Sequence, residues 1–567
     1  MKTKDTKDIL RVIPLGGHGE IGKNSWILES KGEIVIVNFG MMLPGFDLTG
    51  VDLILPSATY LSENQSQIKG LILTSAHDDC SGGVFYLLDK VKIPKIWGSK
   101  LALEMLKSQI KNNTLPECEF LEPRKEFNVG EFSIIPIRNT SMLPDTYGLF
   151  IKHSTGNVLY TGSYKVDQTP LDGNLLDYYT YSKAGEEGVD LLISDSINIE
   201  SPGYSQSERS ITKRFDEIFK ESSSRVIIVS YANNLYKFQT IFKLAQKNGK
   251  KIFLAGEYLT NKIHTAVNAG FIDFDKKLFI QEKELNSLKD NEVVILASGK
   301  YGDFLSTLIS VAKNEHPQIK IKSKDIIVVS SNPAPGIARI LAHTMDQFFV
   351  QKVQIIGGRG QGVHSSGHAA QEESKFMLTV TKPRSFAPSH GEERQLVQYG
   401  NIAEMMGISP NDIHILKNGD VLELREQVAR VANKIPAPSI YYNQAKKLDI
   451  DETTMKERIS LSKEGTITIA LAVDKKRNII AGPEILAEAC SFAKGKDWRA
   501  FCLGTVELVK EAVKQSVEKE EKEILNLKSI VRDVVNKSVL ELIGKRPLIN
   551  VSIQEIAAGN QLAAKSQ

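Results

Sequence analysis

Cysteine is scarce in this chain. Cys80, Cys118, Cys490 and Cys502 are the only four among 567 residues, and no two form a C-x-x-C pair. A disulfide framework is therefore excluded. No run of ~20 apolar residues is present, so no membrane-spanning helix is expected. The opening MKTKDTKDILRV has no apolar signal core, which leads to the expectation of a reducing, cytoplasmic setting. Charge of one sign is also lacking. A net charge of +3 is too weak to imply a polyanion partner, so any nucleic-acid surface has to be a local patch. Internal repeats and low-complexity tracts are missing too. What remains is 41% hydrophobic and 25% charged, the balance of a globular protein. The length predicts roughly three or four domains.

Strand and helix signals alternate along the chain. ILRVIPL, SWILES and GEIVIVNFG read as strands. Gly17–Gly22 satisfies G-x-G-x-x-G, but Ser25–Ser30 looks like a strand where a dinucleotide fingerprint needs a helix. The glycines are read instead as a turn bordering a site. Leu71–Leu73 ends a buried strand, and Val84–Val91 reads as a helix after Gly82-Gly83. Between them stand His77, Asp78, Asp79 and Cys80, residue types that bind transition metals. Taken alone, such a stretch is more often a polar capped turn. From about residue 210 the texture is that of a parallel α/β domain. Residues 425–451, with Pro436 and Pro438, read as a linker. Later helical patterns place Leu508, Val513 and Val517 on one apolar face.

In order, the informative loops are Val37–Gly40, Thr74–Gly83, Thr140–Asp145, Tyr160–Asp167, Ser194–Glu208, His364–His368 and Pro388–Glu392. GGHGEIGKN, IKGLILTSAHDDCSGGV, SDSINIESPGYSQSER, SSNPAPG, HSSGHAAQEE, APSHGEER and KRPLINVSI accompany them. This series resembles the metallo-β-lactamase fold with a β-CASP insertion, and more closely the ribonuclease J family of bacteria. The resemblance implies an α/β protein: an αββα sandwich interrupted by a β-CASP domain, plus a C-terminal α/β domain. It implies a first metallo-β-lactamase part at 1–209, β-CASP at 210–355, a second metallo-β-lactamase part at 356–425, a linker at 426–454, and a C-terminal domain with its tail at 455–567.

The family hydrolyses RNA phosphodiesters, from the 5′ end and internally, with two zinc or other divalent ions per chain. Such a pair activates a bridging water and neutralises charge on the attacked phosphate. The family's His-x-His-x-Asp-His motif corresponds here to Ser75-x-His77-x-Asp79-Cys80. Ser141 stands for the later His, Ser163 for the bridging Asp, and Asn38 for the Asp of the first motif. His77, Asp79 and His390 retain the family residue, and His368 joins them as a retained catalytic position. Without the bridging carboxylate, a two-ion site is not expected. Asp79, Cys80 and His390 offer ligands for a single zinc at most; otherwise the pocket is a relic whose polar groups satisfy one another.

The phosphate-handling side has changed differently. His364, Ser365, Ser366, Gly367 and His368 resemble the loop that lines the family's RNA path, and Ser330, Ser331 and Gly336 part of its terminal-phosphate pocket. Hydroxyls, imidazoles and open backbone suit an anion. Asp195, Ser207 and Glu208 also match, whereas Tyr236 and Glu257 replace a family His and Arg. The expected function is a non-catalytic or weakly active partner of an active ribonuclease J paralogue, or of itself, that binds single-stranded RNA during RNA processing and decay. Two alternatives are a metal-dependent nuclease with an altered, single-metal site and a standalone RNA-binding scaffold.

Overall fold

The computed structural model describes residues 8–46, 48–110, 115–331, 338–358, 360–518, 524–544 and 546–556. The chain divides into two compact units, one within Met1–Leu43 and Asp52–Ile440, the other within Pro44–Val51 and Tyr441–Gln567.

Two mixed sheets face each other in the first unit. The eight-stranded sheet runs Val428–Lys434, Asp420–Arg425, Leu10–Gly16, Ser25–Ser30, Glu33–Val37, Ile68–Leu73, Lys95–Gly98 and Glu117–Phe120. The six-stranded sheet runs Ser385–Ser389, Leu191–Asp195, Val158–Tyr160, Thr146–Lys152, Phe132–Asn139 and Phe127–Val129. Their inner faces share one core, with Val12, Trp26, Val35 and Ile72 meeting Ile134, Leu149, Leu191 and Ile193. Helices Tyr178–Glu187, Gln371–Thr381 and Glu393–Met405 bury Tyr181, Met377 and Tyr399 in a core with residues of the second sheet. Ser25–Ser30 is a strand antiparallel to Leu10–Gly16, so the glycine-rich segment joins two strands.

An inserted domain carries an all-parallel sheet in the order Phe279–Ile280, Lys251–Ala255, Val293–Ala297, Val226–Val229, Ile326–Val329 and Gln354–Gly357. Its central strands VVILA, VIIV and IIVV are buried throughout, because helices cover both faces of such a sheet. The chain then returns to the first architecture. Ser385–Ser389 pairs with Leu191–Asp195, and Asp420–Arg425 with Leu10–Gly16.

The stretch 426–454 is not an irregular linker. Val428–Lys434 extends the eight-stranded sheet, and Ser439–Asn443 pairs with Leu448–Ile450. Edge position explains the misreading: in Val428–Lys434 only Ala429 is buried, so the strand carries almost no apolar alternation.

In the second unit, Ile479–Glu488, Thr466–Val473 and Leu548–Glu555 form a sheet. Thr466–Val473 alternates half-buried and buried residues, and Ile467, Ile469 and Val473 share a core with Val509, Val513, Val531 and Val535 of helices Gly495–Glu518 and Ile524–Ile543. Val513 is thus core, while Leu508 and Val517 are exposed. Among the described residues, no helix is long and apolar enough to cross a membrane.

Candidate functional site

Loops at the carboxyl ends of strands converge between the two facing sheets. Asn38 follows Glu33–Val37, Thr74–Asp79 follows Ile68–Leu73, Thr161–Ser163 follows Val158–Tyr160, and His390 follows Ser385–Ser389. The parallel register Asp195↔Ser389 sets Asp195 beside His390. Asn38 and His390 both have positive φ, 60° and 53°, a conformation that non-glycine residues adopt at a cost. Gly40 is needed for close packing here, since a Cβ on it would fall 1.6 Å from the Asp79 carbonyl oxygen.

The motif loop begins a short helix, Asp78–Ser81, with His77 as its N-cap. His77 Nδ1 lies 3.3 Å from the Asp79 amide nitrogen and 2.6 Å from Asp79 Oδ1. Nδ1 accepts from the Asp79 amide, and the carboxylate oxygen lies against the same nitrogen without a hydrogen bond. Asp79 Oδ2 lies 2.8 Å from His390 Nε2, His390 Nδ1 lies 3.7 Å from Asp195 Oδ1, and Asp195 Oδ2 lies 2.5 Å from His368 Nδ1. Imidazoles and carboxylates therefore alternate in the sequence His77, Asp79, His390, Asp195, His368.

Electrostatics follow from that alternation. Burial alone would raise the Asp79 carboxyl, but His77 and His390 hold it well below the usual carboxylate range. Burial likewise depresses His390, yet Asp79, and behind it Asp195, raise its pKa. Burial pushes the Cys80 thiol well up, and Asp79 beside it adds to the rise.

The two divalent ions implied by the resemblance do not fit these donors. Asn38 points its amide Nδ2 at Thr74 Oγ1 (2.9 Å) and Tyr160 Oη (3.1 Å). Ser75 Oγ accepts from the His77 amide at 3.2 Å, and Ser141 Oγ donates to the Gly367 carbonyl at 3.0 Å. Ser163, at the position of the bridging carboxylate, is buried with no partner for its hydroxyl. The two oxygens of Asp79 lie beside His77 and His390, although Oδ1 and both His390 ring nitrogens make no hydrogen bond. The trio Asp79, Cys80 and His390 fares no better as a zinc site. Among the described residues, the His, Cys, Asp or Glu donors that converge within 4.8 Å are those of Asp195, His368 and His390. There Asp195 is already engaged by His368. Zinc needs three or four free donors around one point.

The His364–His368 loop is built differently. The Lys165 ammonium, fully buried, donates to the carbonyls of Gln206 and Ser366 (both 3.0 Å) and contacts Glu208 and Ser365 (both 3.3 Å). Ser365 Oγ donates to Glu208 at 2.6 Å. Ser366 Oγ accepts from the His368 amide at 3.1 Å, and Gly367 leaves room for Met142, which a Cβ would meet at 2.5 Å. Lys237 Nζ reaches the Ser330 carbonyl at 2.5 Å and His364 Nδ1 at 3.4 Å. Burial lowers the Lys237 pKa to about 8. Burial, then Lys237 and Lys165, lower His364 to about 3, leaving a neutral imidazole that accepts from Lys237. Ser331 Oγ accepts from the Tyr231 amide, and Tyr236 Oη donates to Asp172 at 2.7 Å. Gly336 lies outside the described residues.

Sequence reasoning missed Asn24, Tyr160, Lys165 and Lys237. Asn24 Nδ2 donates to Tyr160 Oη at 2.9 Å, so one phenol is shared by Asn24 and Asn38. A buried lysine carries no local signature, because its sequence neighbours look like those of any surface lysine.

Comparison with known proteins accords with this geometry. The family model for the "Ribonuclease J, beta-CASP domain" matches residues 223–348, that for the "Zn-dependent metallo-hydrolase RNA specificity domain" residues 353–415, and that for the "Ribonuclease J C-terminal domain" residues 453–556. Ribonuclease J of Synechocystis is 37% identical over 480 residues, spanning 84% of this chain and 75% of that protein. Ribonuclease J2 of Bacillus subtilis is 33% identical over 560 residues, spanning 98% of this chain and all of that one. A crystal structure of a protein of unknown function from Enterococcus faecalis shares the fold at TM-score 0.51 and 14% identity, over 73% of this chain. The facing mixed sheets and the inserted parallel sheet are accordingly a metallo-β-lactamase fold with its β-CASP domain. Near-complete coverage by a relative one-third identical, with three matching domains in order, makes this chain a member of the ribonuclease J family.

Proposed function

We propose that this chain acts in RNA processing as a non-catalytic or weakly active partner of an active ribonuclease J, contributing assembly and RNA binding. One observation carries the reading: both oxygens of Asp79 face His77 and His390 while Ser163 stands where a bridging carboxylate is needed. Imidazoles here balance a charge that metal ions balance in a two-ion nuclease. Replacements on separate loops act on one unit, so their effects on metal-dependent hydrolysis do not add independently; together they remove nearly all of it. RNA binding is supported by the match to an RNA specificity domain and by the buried lysines behind the His364–His368 loop. Assembly is supported by the match to the ribonuclease J C-terminal domain and by exposed Leu508 and Val517.

The test is co-purification with an active ribonuclease J from the same cell, with cleavage of 5′-monophosphorylated RNA measured for each protein alone and for the pair. The expected result is a stable complex, altered activity of the active partner, and negligible cleavage by this chain alone. Cleavage by the isolated chain that disappears in His77→Ala or His390→Ala would establish an altered-site nuclease instead, a reading favoured by the intact Asp195–His368 pair. RNA binding without complex formation or cleavage would leave a standalone RNA-binding scaffold.

A further inference from the structure

We propose that Asp78, Tyr258, Lys262 and Asn233 form a two-state latch that pins the β-CASP domain to the loop carrying His77 and Asp79. Asp78 belongs to the metallo-β-lactamase part, yet its carboxylate is satisfied from the inserted domain. Lys262 Nζ reaches Asp78 Oδ1 at 2.9 Å and Oδ2 at 3.0 Å, and Tyr258 Oη donates to Oδ1 at 2.6 Å. Lys262 also donates to Asn233 Oδ1. Both charged side chains are buried, at 9% and 5% exposure. Tyr258 and Lys262 stand one turn apart on helix Glu257–Asn268, so one helix face presents both donors.

The other side of Asp78 is fixed by backbone. Its carbonyl accepts from the Met41 amide at 2.9 Å, while the next two carbonyls accept from Asn24 and Phe39, both at 2.8 Å. The loop is thus tied through its main chain to the strands beneath and through one side chain to the β-CASP domain. Nearby, Lys300 pairs with Asp52 at 2.6 Å and Lys100 lies 5.8 Å from the Phe271 ring centre, joining the same two domains in more exposed settings.

Domains of one chain move relative to each other by default unless their interface resists. This interface resists in a particular way. A displacement of an ångström or two breaks the bonds to Asp78 before water can replace them, and buried groups with unmade bonds are costly. Full separation re-solvates both charges and removes that cost. Intermediate openings are therefore disfavoured, and the domains are either latched or parted. Since Asp78 sits between His77 and Asp79, parting them also removes the side-chain tie on the pocket loop and leaves only its main-chain ties. None of this depends on whether the chain cleaves RNA or assembles with a partner.

Amide hydrogen exchange of the full chain, without RNA, tests the latch. In Asp78→Asn and in Lys262→Met, exchange is expected to rise about tenfold or more in both residues 78–83 and residues 257–268, with no change in the buried strand Val226–Val229. The double variant should match either single one, because each breaks the same interaction. Tyr258→Phe, which keeps the ring packing, should give a smaller rise in the same two segments, and serves if either charge variant fails to fold. Faster exchange confined to the segment that carries the substitution, or single effects that multiply in the double variant, would overturn the proposal.

Discussion

Two regions of the same domain pair have met the problem of buried charge in opposite ways. Beside Asp79, carboxylates face imidazoles, and the nearby hydroxyl of Ser163 is buried without a partner. At the His364–His368 loop, two buried ammonium groups remain, held by carbonyls, hydroxyls and one carboxylate. Metal ligation is a collective property, so once the bridging acid is gone little holds the other ligands to type. Phosphate recognition is more nearly a sum of separate contacts.

The largest expected effect breaks the cationic region. Lys165→Met leaves Glu208 buried without its cation and unties two loop carbonyls; a loss of roughly 3–5 kcal/mol in unfolding free energy is expected, read by urea denaturation. Next comes the acidic region. Asp79→Asn should cost about 3 kcal/mol, with a diagnostic pH dependence. The depressed Asp79 pKa stabilises the fold above about pH 4 and that contribution fades as pH falls through the folded value. The raised His390 pKa stabilises below about pH 6.5 and fades as pH rises through its own folded value. The gap between wild type and variant should therefore be widest between those limits. A gap that keeps growing toward pH 9 would show that imidazolium does not balance Asp79.

A smaller effect sharpens the contrast. Lys237 loses its proton near pH 8, so affinity for a 5′-monophosphorylated RNA should drop about tenfold between pH 7 and 9. Lys237→Gln should bind more weakly at pH 7 and lose that step. The smallest effect belongs to Ser163. Its hydroxyl is buried without a partner, so Ser163→Ala should change stability by no more than about 0.5 kcal/mol, whereas a hydroxyl that holds a ligand or an ordered water would cost more.

Much of the architecture was legible because it is written in periodicity and punctuation. The apolar runs VVILA, VIIV and IIVV carry the parallel α/β texture that begins near residue 210. The edge strand Val428–Lys434 escaped notice because, exposed nearly throughout, it has no face to mark. At the site, the resemblance located His77, Asp79, His368 and His390 through their motifs. It could not rank the contacts among them.

The sequence by itself determined the family and the order of its layers, since both are carried by motifs and apolar runs, and the resemblance led to the expectation of lost ligands at Asn38, Ser75, Cys80, Ser141 and Ser163. Only the tertiary structure decided what replaced the lost chemistry. The alternation of His77, Asp79, His390, Asp195 and His368, the lysines buried behind the His364–His368 loop, and the grip of Lys262 on Asp78 all join residues far apart in the chain. A buried charge takes its partner from whatever the fold brings within about 3–4 Å, and that proximity is not encoded in local sequence.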